Sequence, residues 1–250
     1  MRLGTDPEVF LQDPMGKPIS AIGFIGADKW NPLQCKGLRK GFTLQEDNVA
    51  LEFGIPPAAN ADEFVKNIRT VMKQGLKKCE GLSFSRLSCT VFPKDQMQHP
   101  NAFVFGCEPD FNAWTGQENP KPMPPNAFMR SAGGHIHVET KEDKIKVIKA
   151  MDFHLAVPAT LMDKAGSERR SMYGKRGAFR PKPYGVEYRT LSNFWIFDDE
   201  LIRWAWRATE RALKEDMPLD NLADAIEEAV DHGNANVARE LVKEFNLEVI

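Results

Sequence analysis

Cysteine is scarce in this chain and unpaired in pattern. Cys35, Cys79, Cys89 and Cys107 form no C-x-x-C and no zinc-binding spacing, which leaves reduced, mostly buried thiols. No apolar run approaches the ~20 residues of a membrane span, and no secretory pattern opens the chain. A cytoplasmic location with no membrane partner is therefore expected. A formal net charge of -2 removes the reason to expect general nucleic-acid affinity. The G-x-x-x-x-G-K-[ST] loop is missing, so any nucleotide would be held in another way than by a P-loop. Internal repeats and low-complexity segments are also lacking. With 250 residues, 42% of them hydrophobic, the chain can form one large domain or a domain with an appendage.

What the sequence does have is alternation. Residues 3–11, LGTDPEVFL, set Leu3, Thr5, Val9 and Leu11 on one strand face and Asp6 and Glu8 on the other. Pro7 suits only a strand start or an edge. Residues 46–53, EDNVALEF, oppose Val49, Leu51 and Phe53 to Glu46, Asn48 and Glu52, and Gly54-Ile55-Pro56-Pro57 ends the strand. Segments 83–92 and 102–111 read as further strands, the second carrying Cys107, Glu108 and Asp110. In 133–139, Ile136 and Val138 turn inward while His135, His137 and Glu139 share the other side. The preceding Gly133-Gly134 allows a ligand or another backbone to approach closely. In 180–195, RPKPYGVEYRTLSNFW, Val186 and Tyr188 oppose Glu187 and Arg189, with Arg180 and Lys182 just upstream.

Helical spacing fills the gaps between these strands. A helix from Asp62 towards Gly81 sets Phe64, Val65, Ile68, Val71, Met72 and Leu76 at i, i+3, i+4 spacing. Thr140 is expected to cap a helix over Lys141 to Asp163, kinked at Pro158. Beyond Asp198 the chain is helical and acid-rich, a packing appendage more than a site. Segment 12–45 reads as short strands and loops, and 115–130 and the basic 165–179 as loops. The fold class is thus α+β with antiparallel strands.

Carboxylates crowded onto one surface repel unless cations sit among them. Hard oxygen donors with few nitrogens favour Mg²⁺ or Mn²⁺. The H-x-H of 135–137 also admits a catalytic zinc, and with it a zinc-dependent hydrolase. Arg130, Arg169, Arg170, Arg176, Arg180 and Arg189 suit a triphosphate, whose charge they would neutralise in phosphoryl transfer. For Arg169, Arg170 and Arg176 a solvated basic loop is the alternative.

Five segments, GTDPEVF (4–10), EDNVALEFGIPPA (46–58), FGCEPDFNAW (105–114), RSAGGHIHVE (130–139) and RPKPYGVEYRTLSNFW (180–195), together resemble the glutamine synthetase and glutamate–cysteine ligase superfamily of carboxylate–amine ligases. They are most similar to its phage-associated COOH–NH2 ligase type 2 branch. The resemblance covers most of residues 1–197 and leaves 198–250 as a C-terminal helical extension packed on a catalytic domain. It implies a curved antiparallel sheet holding Mg·ATP on its concave face, and a host-cytoplasmic protein if phage-encoded. It further implies Glu8, Glu52, His135 and Glu187 as metal ligands, with Asp6 beside them. His137, Asn48 and Arg130 would lie near the nucleotide, and Arg180 and Arg189 would neutralise the transferred phosphate. The implied reaction activates a small-molecule carboxylate as an acyl phosphate, which an amine then converts to an amide. A phosphotransferase on the same fold would stop after the first step. Asp-Pro-Glu stands where relatives carry two glutamates, and the absence of a separate N-terminal domain points to a site within one chain.

Overall fold

The computed structural model describes residues 1–104, 109–121 and 123–250. Cys107 and Glu108 lie outside the described residues. The strands are β1 (Leu3–Thr5), β2 (Glu8–Val9), β3 (Leu11–Gln12), β4 (Pro18–Ile19), β5 (Leu33–Gln34), β6 (Thr43–Asp47) and β7 (Ala50–Gly54), then β8 (Ser83–Phe84), β9 (Cys89–Val91), β10 (Phe111–Asn112), β11 (Met129–Ser131), β12 (Ile136–Glu139), β13 (Ala178–Lys182) and β14 (Gly185–Tyr188). The helices are α1 (Ala61–Lys78), α2 (Lys144–Met151), α3 (Val157–Met162), α4 (Gly166–Met172), α5 (Asp199–Lys214), α6 (Ala223–Val230) and α7 (Ala235–Glu244).

The fold is α+β and its ladders are antiparallel, as the alternation predicts, but the described strands divide among four sheets instead of forming one. One has the order β1-β12-β14-β13-β10 and another β2-β7-β6-β5. The chain passes between them within a few residues, because Pro7 has no N–H to donate and interrupts the run between β1 and β2. Residues 3–11 therefore serve three sheets instead of one, with β1 paired to β12, β2 to β7 and β3 to β4 and β8. The apolar residues still turn inward, and Asp6 and Glu8 remain partly exposed.

Segment 46–53 is a hairpin, not a strand. Asn48 adopts φ +58, the left-handed conformation Asn tolerates better than most residues, and turns β6 back on β7. Gln45 consequently pairs with Glu52 and Asp47 with Ala50. Segment 180–195 is likewise a hairpin followed by a short helical turn, with Arg180 opposite Glu187. Segment 83–92 splits into β8 and β9, and Ala102 and Phe103 lie in a helical turn where a strand was expected.

Asn60 caps α1 by accepting from the Glu63 N–H, and Phe64, Ile68 and Val71 are wholly buried on its inner face. The helix expected from Thr140 starts later. Asp143 caps α2 by accepting from Lys146 N at 2.8 Å, a site three residues past Thr140. A π-helical stretch, Asp152–Ala156, joins α2 to α3 just ahead of Pro158, whose missing N–H explains the disturbance. Residues 165–179 are not an open loop, for they contain α4.

One hydrophobic core runs from Leu3 and Val9 through Ile136, Val186 and Trp195 to Trp204, Ile226, Leu241 and Leu247. The C-terminal helices thus share the core of the strands. A smaller cluster of Phe10, Val49, Ala50, Phe92, Met97, Ala102 and Ala132 lies separately.

The double glycine before β12 is a packing requirement. A Cβ on Gly133 would fall 2.3 Å from Nε2 of His135, and one on Gly134 would fall 2.4 Å from the Ser192 carbonyl oxygen and 2.5 Å from Nε1 of Trp195. The Ser192–Trp195 segment packs directly behind the loop that presents His135, with Gly134 N donating to the Leu191 carbonyl at 3.0 Å. Gly134→Ala should therefore lower stability by about 1–3 kcal/mol and the melting temperature by about 2–10 °C in thermal unfolding. An unchanged melting temperature would show that the backbone has room there.

Candidate active site

Two sheets face one another across a cleft lined by Asp6, Glu8, Asp47, Glu52, His135 and Glu187, with Arg180, Lys182, Arg189 and Lys29 among them. Strand alternation projects these groups: Glu187 lies opposite both His137 and Arg180 in the five-stranded ladder. Glu8 lies directly opposite Glu52 in the second sheet. The cleft has a cavity volume of about 370 Å³, within the range of small-molecule sites.

The electrostatics separate into two halves. In the first, carboxylates are compensated. Glu187 is 1% exposed and accepts from Arg189 Nη1, while Lys182 Nζ sits 2.7 Å from its other oxygen. Arg180 Nη1 is 3.6 Å away. Burial and the nearby Asp6 raise the Glu187 pKa, but Arg189, His135 and His137 outweigh them and bring it to about 2. Asp6 lies 2.9 Å from Nε2 of His137 and 3.5 Å from Nδ1 of His135. Burial opposes its ionisation, yet His137 and His135 hold it well below the carboxylate range. Burial and Arg189 depress His135 to about 4, so its imidazole is neutral. His137 is raised: burial disfavours its charge, but Asp6 outweighs that.

In the second half, burial and mutual repulsion dominate. Burial and Asp47 raise Glu8 to about 7, against a Gly133 N–H donating to it at 2.7 Å. Burial, then Asp6, Asp47 and Glu8, raise Glu52 well above its ordinary value despite a hydrogen bond from Gln45 at 2.8 Å. Burial likewise raises Asp47. Like charges directly opposed in a ladder are destabilising, and an introduced cation is the usual remedy.

The donor set fits a hard divalent ion. Ligand atoms of Asp6, His135 and Glu187 lie within 4.8 Å of one another, the one such group among the described residues. Arg189 is locked at its edge: Nε donates to Asp110 at 3.2 Å and to the Tyr173 hydroxyl at 2.8 Å, and Nη1 is 3.4 Å from Nδ1 of His135.

Of the residues singled out from sequence, Asp6, Glu8, Glu52, His135, Arg180, Glu187 and Arg189 converge on the cleft. His137 reaches it through Asp6 and lines an adjoining cavity with Tyr184, whose hydroxyl meets its Nδ1. Glu46 lies elsewhere, accepting from Ile25 N and Gly26 N at 2.8 Å. Asn48 and Arg130 line a neighbouring chamber instead. Arg130 is buried and donates to the carbonyls of Ala102, Ala127 and Met129. Arg169, Arg170 and Arg176 do not form a solvated loop, for all three are buried. Arg169 donates to the Thr190 and Arg189 carbonyls at 2.7 and 3.2 Å, behind the active strand. Arg176 pairs with Glu227 and Asp231 of the C-terminal segment. Asp47 was missed, since reading 46–53 as one strand hides the turn that places it beside Glu8; the Asp-Asn dipeptide was the available signal.

The α+β scaffold thus gathers acids, a histidine, arginines and lysines around one cleft. Residues 122–249 match the family described as phage phiEco32-like COOH.NH2 ligase-type 2, and the chain belongs to that family of ligases. The match supports the resemblance drawn from the motifs and extends through the C-terminal helices, which those motifs did not cover. No curated protein matches the chain. No described helix is long and apolar enough to cross a membrane.

Glu8 gives a pH prediction. Its folded pKa of about 7 exceeds its ordinary 4.5, so between those values the folded state holds a proton that the unfolded state has released. Stability must fall as pH rises through that window. Relative to Glu8→Gln, the wild type in chelator should lose about 1–3 kcal/mol between pH 4.5 and 7 in denaturant titrations. A constant difference would mean Glu8 ionises normally.

Proposed function

We propose that the protein is an ATP- and Mg²⁺-dependent ligase that joins a small-molecule carboxylate to an amine through an acyl phosphate. The single observation that supports this most strongly is the convergence of the Asp6–His135–Glu187 group with Arg180, Lys182 and Arg189 in one cleft. It also suits a glutamine synthetase-like scaffold of residues 1–197, with the helices of 198–250 packed against it.

A carboxylate is a poor electrophile because its carbonyl is already electron-rich and hydroxide is a poor leaving group. In the proposed reaction a substrate carboxylate oxygen attacks the γ-phosphorus of ATP and ADP departs. The amine nitrogen, as the free base, then attacks the acyl carbon, the acyl C–O bond breaks, and phosphate leaves, taking up the proton that the nitrogen loses as the amide forms. Glu8, Glu52, His135, Glu187 and Asp6 would hold magnesium or manganese, which when bound supplies charge neutralisation on the phosphates. Arg180, Arg189 and Lys182 would neutralise the phosphoryl group in transfer, and His137 would steady Asp6 at the nucleotide side. Arg189 is pre-oriented by Asp110 and Tyr173, so little rearrangement is needed as charge develops. Asn48 and Arg130 act at one remove, shaping the neighbouring chamber, and the small-molecule acid and amine are the partners.

A zinc hydrolase built on both histidines is less well supported. The convergent group takes in His135 with two carboxylates, while His137 is engaged by Tyr184 and Asp6. A phosphotransferase would use the same cations but form no amide, and the family name speaks for a C–N ligase.

The test is ADP release with a panel of acids and amines in the presence of Mg²⁺. Glu187→Gln should reduce turnover by at least about 10³-fold with an unchanged circular dichroism spectrum. Retained turnover would remove Glu187 from the centre. ADP release without any amide product would instead select the phosphotransferase.

A further inference from the structure

Beside the cleft lies a second chamber that the reaction chemistry does not by itself explain. Its walls are buried apolar side chains, Phe10, Val49, Ala50 and Met129, with Met172 completing them. Val104 and Pro124 form part of its rim, and its cavity volume is about 90 Å³. Its inner end is made by Glu8, Asp47 and Arg189, and these same three residues line the cleft. Anything bound in the chamber therefore points its inner end at the cleft.

The charge at that inner end decides what fits. Arg189 is engaged by Glu187, Asp110 and Tyr173. Arg130 is directed to the backbone carbonyls of Ala102, Ala127 and Met129. Among the described residues the inner end thus presents the carboxylate of Asp47, which the proposed metal set does not use, against guanidinium groups already committed elsewhere. An anionic head would meet repulsion there, whereas an ammonium head would find counter-charge. The cleft has the opposite bias along its far side, where Lys29, Arg180 and Lys182 gather. The wall is also built, not incidental: Asn48, held at φ +58, donates to the Val104 carbonyl at 2.5 Å and accepts from Arg130 Nε at 3.2 Å.

We propose that this chamber is the amine subsite, and that the amine it takes is a primary amine carried on an apolar body rather than ammonia or an amino acid. The assignment rests on the ligase reading and adds a substrate class to it. The apolar walls bind the carbon chain by removing it from water. Asp47 orients the head group towards the cleft, where the activated acid would lie. An α-carboxylate on the same molecule would be carried with its amine to the inner end beside Asp47, which disfavours amino-acid amines.

The test measures binding of n-hexylamine, hexanoate and 6-aminohexanoate to the full-length protein by calorimetry at neutral pH. Val104→Trp, which fills the mouth from an exposed rim position, and Asp47→Asn are tested alongside. Hexylamine should bind, and each substitution should weaken it by about tenfold or more. Hexanoate and 6-aminohexanoate should each bind detectably more weakly than hexylamine, because each brings a carboxylate that must leave water in the apolar chamber. Preference for hexanoate over hexylamine would overturn the proposal, as would unchanged hexylamine affinity in Val104→Trp. Mg·ATP affinity is read on the same samples. Its retention in Val104→Trp alongside lost amine binding supports a separate subsite, and its loss there overturns one. Failure of ATP to bind the wild type would count against the ligase reading alone, because the amine titrations decide the chamber's occupant without nucleotide.

Discussion

The organising constraint of this molecule is the repulsion among carboxylates that its own strand register forces together. Glu8 and Glu52 face each other across a ladder, Asp47 lies beside them, and Asp6 follows one residue past β1. No packing advantage comes from such an arrangement, since hydrophobic residues of similar size would stabilise the same ladder without the repulsion. The other wall of the cleft shows the contrasting solution, in which Glu187 is neutralised by Arg189 and Lys182. One wall thus carries its own cations, while on the other burial and mutual repulsion outweigh the cations nearby. Under the proposed function a bound cation would resolve the second wall, and the polyphosphate that accompanies it would meet the arginines of the first.

Much of the structure holds the first wall rigid. Asp152, buried on the π-helical stretch, accepts from Tyr188, Thr190, Trp114 and the Gly177 N–H, fixing the hairpin that carries Glu187. Burial raises its pKa to about 7 despite those donors. Arg169 secures the carbonyls of Arg189 and Thr190 from behind. Arg176 ties the same region to Glu227 and Asp231, so the C-terminal helices brace the active strand through charge as well as through the shared core.

The sequence made the chemistry legible more readily than the topology. Alternation correctly separated Asp6, Glu8, Glu52, His135 and Glu187 from their buried neighbours, because facing is a property of two adjacent residues. It could not show that Pro7 hands the chain from one sheet to another, or that Asn48 folds 46–53 into a hairpin. Those depend on partners distant in sequence. Arg169, Arg170 and Arg176 were ambiguous for the same reason: a basic run reads as solvated unless the acids and carbonyls that receive it are known. The double glycine was legible as close approach, while what approaches, the His135 ring and the Ser192–Trp195 segment, needed the fold.

The central claim is that the uncompensated wall exists to receive a cation together with a nucleotide. Calorimetric titration of ATP into the protein, with Mg²⁺ and then with chelator, tests it most directly. The account predicts binding in the micromolar to millimolar range usual for substrates only when Mg²⁺ is present. Equal affinity in chelator, or no binding in either condition, would contradict it.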